Sequence, residues 1–311
     1  MNKPPKPAAK RTQKPATVWD QRKVKPRSDA PQAPAAKQRR PATKPASNRA
    51  AANRKAPTHA KSTETTRREI KYYGIAACMA LWERRAHDII RVYLEEPLIP
   101  KFTPLLRWTA TKRKAYHIVG SDDLERLTES IHHQGICILA RERSPLEFED
   151  LLGLVREDQG RQLMVYLDGV ENPHNFGAIL RTCAHYGVRF ILGAEGHLPK
   201  LSGAACRVAE GGAEQIGLVQ LRHPTKQLHQ LQELGFQLLA TAGARGRSLY
   251  QHSFTPRTLL IMGAETQGVS GSLIQLAQQV VKIPGSGQVE SLNVSVAFAV
   301  CASEYYRQQM T

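Results

Sequence analysis

Residues 283–295 read Ile283-Pro284-Gly285-Ser286-Gly287-Gln288-Val289-Glu290-Ser291-Leu292-Asn293-Val294-Ser295. An apolar strand ends at Ile283 and passes through Pro and Gly into the start of a helix. Ser291 is placed to cap that helix. Capping leaves Asn293 and Ser295 unexplained, and small polar groups crowded at a strand-to-helix junction mark a ligand loop. Upstream, apolar runs at 163–167, 188–192, 216–220, 236–241, 258–262 and 280–283 predict strands, with helical stretches between most of them. A last helix is predicted over 292–307. Strands that are apolar almost throughout imply a parallel sheet covered on both faces. In such sheets ligands bind beyond the carboxyl ends of the strands, so the loops there carry the chemistry.

Two further loops fit that rule. Asn172-Pro-His-Asn175-Phe-Gly177-Ala-Ile-Leu-Arg181-Thr182 follows the first strand. Asn175 reads as the cap of a helix starting near residue 176, Gly177 as a point of close backbone approach, and Arg181 as a cation further along. Gly263-Ala-Glu265-Thr-Gln-Gly268 follows the strand over 258–262. Its two glycines around a carboxylate suit a tight backbone cradle with one polar anchor. The spacing is not the G-x-G-x-x-G of a dinucleotide fold, which disfavours a nicotinamide enzyme.

Charge divides the chain. Residues 1–68 hold 19 of its 44 Lys and Arg but three of its 27 acidic residues, so nearly all of the net charge of +17 lies there. Residues 1–66, rich in Lys, Arg, Pro and Ala, are expected to be a disordered basic tail that contacts RNA phosphates. Residues 69–141 are expected to form a small α/β domain: a helix from 75 to 82, strands at 89–94, 115–119 and 135–139, and helices near 105 and over 122–128. Residues 142–160 read as a charged, irregular linker with a short helix, and 161–311 as the larger domain. Five scattered cysteines with no CxxC disfavour zinc and imply reduced thiols in a cytoplasmic protein. No apolar run is long enough for a membrane span.

Taken together, N-x-G-x-x-x-R-T (Asn175 to Thr182), G-x-E-x-x-G (Gly263 to Gly268) and I-P-x-x-G-x-x-x-S-L-N-V-S (Ile283 to Ser295) resemble the three motifs of the SpoU branch of the SPOUT methyltransferase superfamily. Residues 69–141 resemble the L30e-like substrate-binding domain found at the front of many members. The resemblance implies a parallel sheet with a C-terminal trefoil knot, a homodimer, S-adenosylmethionine as cofactor, and methylation of a ribose 2′-hydroxyl in rRNA or tRNA. The separate front domain favours rRNA. By position, Gly263, Ile283 and Leu292 match the family's cofactor contacts, and Asn175, Arg181, Glu265, Ser291 and Asn293 its catalytic set. Arg181 is often cast as a base in this family. A guanidinium stays protonated at any working pH, so an electrostatic clamp on the developing alkoxide and its phosphate is the better role. Asn175 and Glu265 would orient Arg181 and the ribose.

Two departures stand out. Gly285 occupies the place of a common Met, and Glu210 with Gly211 replaces a small or polar residue before Gly-Ala. Two other functions remain open at this point. One is an RNA-binding or ribosome-assembly protein that keeps the fold with little activity. The other is a base methyltransferase of another SPOUT branch, whose N1-guanine members lack this Asn…Arg motif.

Overall fold

The computed structural model describes residues 68–243 and 246–310; the tail expected over 1–66 lies outside them. The front module opens with β1 (Glu69–Tyr73), α1 (Ile75–Arg85), β2 (Ile89–Leu94), α2 (Ile99–Thr111), β3 (Ala115–Ile118), α3 (Ser121–Thr128) and β4 (Ile136–Arg141). Its four strands lie in the order β1-β4-β2-β3, with β3 parallel to β2 at the edge. β1 was not among the expected strands. Its inward residues Ile70 and Tyr72 alternate with the more exposed Glu69 and Lys71, and Tyr73 at its end is buried on the other face beside Leu124.

The chain continues through α4 (Phe148–Glu157), β5 (Gln162–Asp168), α5 (Pro173–Tyr186), β6 (Phe190–Ala194), α6 (Gly203–Val208), β7 (Gly217–Leu221), α7 (Pro224–Glu233), β8 (Gln237–Thr241), β9 (Arg247–Ser248), β10 (Arg257–Gly263), α8 (Gly271–Leu276), β11 (Gln279–Lys282) and α9 (Val294–Met310). Seven strands form one sheet in the order β7-β6-β5-β10-β8-β11-β9, and every pairing is parallel. All six expected strands of the larger domain are present within two residues of their expected ends.

Both faces of this sheet are covered, and side-chain alternation shows how. On β5, Leu163, Val165 and Leu167 face one core while Met164 and Tyr166 face the other. On the first side lie α5 and α9, through Phe176, Ile179, Phe298 and Tyr305. On the second lie α4, α7 and α8, through Leu151, Leu228 and Leu273. The stretch read as linker therefore contributes a ten-residue helix that buries Phe148, Leu151, Leu152 and Val155. Among the described residues no helix is long and apolar enough to cross a membrane.

The front module shares a core with the first side of the sheet. β1 and α1 pack on α6 and on the turn Gly212–Glu214. At the centre of this contact Arg85 is 8% exposed and fully paired. Its Nε and Nη2 donate to the two carboxylate oxygens of Glu214 at 2.7 and 3.0 Å. Its Nη1 donates to Asp88 at 2.8 Å and its Nη2 to the Tyr72 hydroxyl at 2.9 Å. Burial opposes the Arg85 charge, but Glu214, Tyr72 and Asp88 outweigh it and raise the guanidinium pKa. Glu210 and Gly211 belong to the same contact. Glu210 pairs with Arg207 at 2.5 Å, and a Cβ on Gly211 would stand 3.1 Å from the methyl of Ala80 on α1. The departure at 210–211 is thus part of the seam between the modules.

Candidate active site

The carboxyl ends of β5, β10, β8 and β11 lie along one edge of the sheet, and the expected residues gather there. Asp168 closes β5 and pins the loop after β10. Its carbonyl accepts from Ala264 N at 2.9 Å, and its carboxylate accepts from Ser270 N at 2.7 Å. Gly268 N then donates to Ala264 O at 2.8 Å, which tightens residues 264–268 into a turn. A Cβ on Gly263 would fall inside the Gly268–Val269 peptide, so only glycine fits. Asp168 was not foreseen. A lone carboxylate ending an otherwise apolar strand was its available signal.

Three side chains from three loops meet around one carboxylate oxygen. Glu265 Oε1 accepts from Asn293 Nδ2 at 2.7 Å, from Asn175 Nδ2 at 3.1 Å and from Val294 N at 3.4 Å. Asn293 Nδ2 also donates to Asn175 Oδ1 at 2.9 Å. A charged acceptor shared by three donors makes a strong, directional hub. It fixes the first turn of α5 against the start of α9.

Two capping roles differ from the sequence reading. Asn172 caps α5, its Oδ1 accepting from His174 N at 2.8 Å and Asn175 N at 3.3 Å. Asn175 therefore sits inside the first turn, and its carboxamide is free for Glu265. At α9 the N-terminal acceptor is Asn293, whose Oδ1 takes the Ser295 N–H at 2.9 Å and hydroxyl at 2.6 Å. Ser291 lies upstream and exposed. Gly177 does allow a close approach, but of α6: a Cβ there would stand 2.6 Å from Ala205 O.

Arg181 stands apart from the hub. Six residues along α5 place it about 9 Å further up the axis and on another face. It is exposed and has no hydrogen bond or ion pair among the described residues. The expected orientation of Arg181 by Asn175 and Glu265 is absent within this chain.

The loops after β8, β10 and β11 form a cradle. A Cβ on Gly243 would stand 3.4 Å from Glu290 O and 3.8 Å from Ser291 Cβ, so the first and last of these loops abut. Ile283 is half-buried against the core, whereas Leu292 on the same loop is 43% exposed. Leu292 thus presents an apolar side chain to solvent beside the tight turn that Gly263 allows. A Cβ at Gly285 would meet nothing within 4 Å, so this departure leaves the packing intact. Among the described residues no His, Cys, Asp and Glu cluster could hold a metal ion, and all five cysteines are free and buried.

An all-parallel sheet covered on both faces, with polar side chains converging at the carboxyl ends of its strands, is the architecture of an α/β protein that holds its ligand at that edge. The family model described as the SpoU rRNA methylase family matches residues 162–303, and that for RNA 2′-O ribose methyltransferase substrate binding matches 72–146. A 23S rRNA (guanosine-2′-O-)-methyltransferase, RlmB, of Photorhabdus laumondii is 34% identical over 76% of this chain and 97% of its own. An uncharacterized tRNA/rRNA methyltransferase, YfiF, of Escherichia coli O157:H7 is 33% identical over 77% of this chain and 68% of its own. The solved SpoU methyltransferase AviRb of Streptomyces viridochromogenes, in complex with AdoMet, superposes with a TM-score of 0.65 at 21% identity, covering 82% of this chain and 95% of its own. The chain belongs to the SpoU rRNA methylase family, whose cofactor is S-adenosylmethionine.

The cradle yields a direct test. Leu292→Arg should abolish S-adenosylmethionine binding by calorimetry, because a longer charged side chain would occupy the apolar wall. Leu292 faces solvent, so the variant should melt with the wild type. Undiminished binding would place the cofactor elsewhere.

Proposed function

We propose that this chain transfers a methyl group from S-adenosylmethionine to a ribose 2′-hydroxyl of ribosomal RNA. The observation that carries the reading is the Asn175–Glu265–Asn293 hub, which joins the three motif loops at the strand ends. One of the relatives, RlmB, is named a 23S rRNA (guanosine-2′-O-)-methyltransferase, and this chain spans it almost end to end.

The cofactor, when bound, supplies an electrophilic methyl group. The protein's part is positioning, since in-line displacement at carbon rewards alignment above all. Gly263, Ile283 and Leu292 would hold the cofactor, the glycine by giving the ligand its backbone. Asn175, Glu265 and Asn293 would set the ribose, and Ser291 would steady the loop. Arg181 would clamp the alkoxide that develops as the 2′-hydroxyl loses its proton to the neighbouring phosphate.

The isolation of Arg181 from the hub supports a site completed by a second copy of the chain. Val296, Tyr306 and Met310 of α9 are exposed, and Tyr306 packs on Tyr186 of α5. These helices would form the homodimer face. The sheet order places β8 between β10 and β11, which supports a path in which the segment before α9 threads the loop after β10 and closes a trefoil knot. Such an enzyme would work where ribosomes are assembled, in the cytoplasm.

The test is enzymatic. Unmodified rRNA incubated with the protein and labelled cofactor should yield label in 2′-O-methyl nucleosides after digestion. Label in base-methylated nucleosides, or none, would refute the assignment. The tail gives a second expectation: deleting residues 1–66 should weaken RNA binding and flatten its dependence on salt, because the slope counts phosphates neutralised. An unchanged slope would remove the tail from RNA contact.

A further inference from the structure

We propose that the free edge of the front sheet, β3 with the basic turn before it, is a stacking platform for unpaired nucleotides of the RNA. The proposal rests on the reading above only for the identity of the polymer.

Three observations converge on this edge. The first is charge. Residues 97–121 contain five Lys and Arg and no Asp or Glu. Lys114 turns inward, its Nζ donating to the Ile89 carbonyl and lying 5.6 Å from the centre of the Trp108 ring. Lys112 and Arg113 remain exposed at the turn and form no ion pair among the described residues. Arg113 adopts φ 53°, so the chain turns sharply between α2 and β3, with these two cations in the turn.

The second is aromatic surface. All four residues of β3 are exposed although the strand is paired with β2 on one side. Tyr116 is 45% exposed on one face of the strand. On the other face His117 stacks on Tyr93 with ring centroids 5.3 Å apart and planes 20° from parallel. Arg91, in register with Ala115, donates to the Tyr93 hydroxyl at 3.2 Å and continues the same face.

The third is position. The front module is joined to the methyltransferase sheet by the buried Arg85 cluster, so the edge and the catalytic loops belong to one packed unit. Cations beside ring faces fit a single strand whose bases are unstacked: phosphates meet the turn and bases meet the rings. A duplex hides its bases and would use the cations alone.

The test is binding by the full-length chain, with a labelled oligouridylate single strand and an RNA duplex of equal length, at salt sufficient to suppress the tail's contribution. The double variant Tyr116→Ala/His117→Ala should lose about tenfold in single-strand affinity for each base stacked, and nothing for the duplex. Lys112→Glu/Arg113→Glu should weaken both. Photocrosslinking of wild type with 4-thiouridine RNA should give adducts on the peptide carrying Tyr116 and His117. All four residues are exposed, so unchanged melting is the control for folding. Single-strand affinity equal to wild type in both variants, with adducts confined to other peptides, would overturn the proposal and leave the edge to strand addition by a polypeptide. The readout is binding, so wild-type protein that binds but does not methylate would count against the proposed activity and not against this surface.

Discussion

Arg181→Ala is expected to lower methyl transfer by about 10²–10³-fold, the usual cost of one electrostatic stabiliser in a closed site. Cofactor affinity should stay near the wild-type value. The separation follows from the geometry. Arg181 lies on α5, outside the Asn175–Glu265–Asn293 hub, while the cradle is built by the loops after β8, β10 and β11. It is exposed and has no partner among the described residues, so its removal should leave the fold intact. Arg181→Lys should restore little, because a point charge cannot reproduce a planar two-point grip on phosphate and hydroxyl. Rates on RNA set beside calorimetric cofactor affinity decide the matter. A variant within threefold of wild type, against the loss expected of an electrostatic stabiliser, would remove Arg181 from the chemistry.

Arg85→Met should be the most damaging single change to stability. It leaves Glu214 and Asp88, both under 9% exposed, without their shared cation. Removing one member of a buried ion cluster costs about 3–5 kcal/mol. For a protein of this size that is a fall in melting temperature on the order of 10 °C. The cost comes from stranded carboxylates, not from lost attraction, so adding Asp88→Asn and Glu214→Gln should recover much of it. A melting temperature unchanged in Arg85→Met would mean that the modules are not held by this cluster. A melting temperature no higher in the triple variant would mean that packing, not charge, is what the arginine provides.

The sheet of the larger domain was legible because its strands are buried on both faces and so read as continuous apolar runs. The edges of those runs were less so. Val188 was read into β6, yet it is buried just past the left-handed cap Gly187 of α5, its N–H bonded to Cys183 O. A residue packed at a helix end has the same composition as one in a strand. Some details had signals that were present beyond what was drawn from them. Phe148, Leu151, Leu152 and Val155 follow helical spacing inside the charged stretch read as linker. Pro173 directly after Asn172 marks the first position of α5 and so names Asn172 as the cap.

The site was legible as a set of loops rather than as a geometry. Motif order brought Asn175, Glu265 and Asn293 to one edge, and the structure joins them. The six-residue spacing already offsets Arg181 from Asn175 around the helix, but it could not show that no side chain of this chain's described residues would reach Arg181 there. Arg85 and Glu214 were invisible for a different reason. They lie 129 positions apart; Arg85 sits among charged neighbours that resemble an ordinary solvated surface, and Glu214 is a lone carboxylate in a glycine-rich turn.

Cells that lack the gene give the most direct test of ribose methylation by this chain. Alkaline cleavage mapping of their ribosomal RNA, compared with the parent strain, should reveal one position that has become cleavable. A 2′-O-methyl group removes the hydroxyl that attacks the phosphate, so its loss restores cleavage there. Protection should return with the wild-type gene and not with Arg181→Ala. Identical cleavage patterns in parent and deletion strains would contradict the assignment of this chain as a ribose methyltransferase of ribosomal RNA.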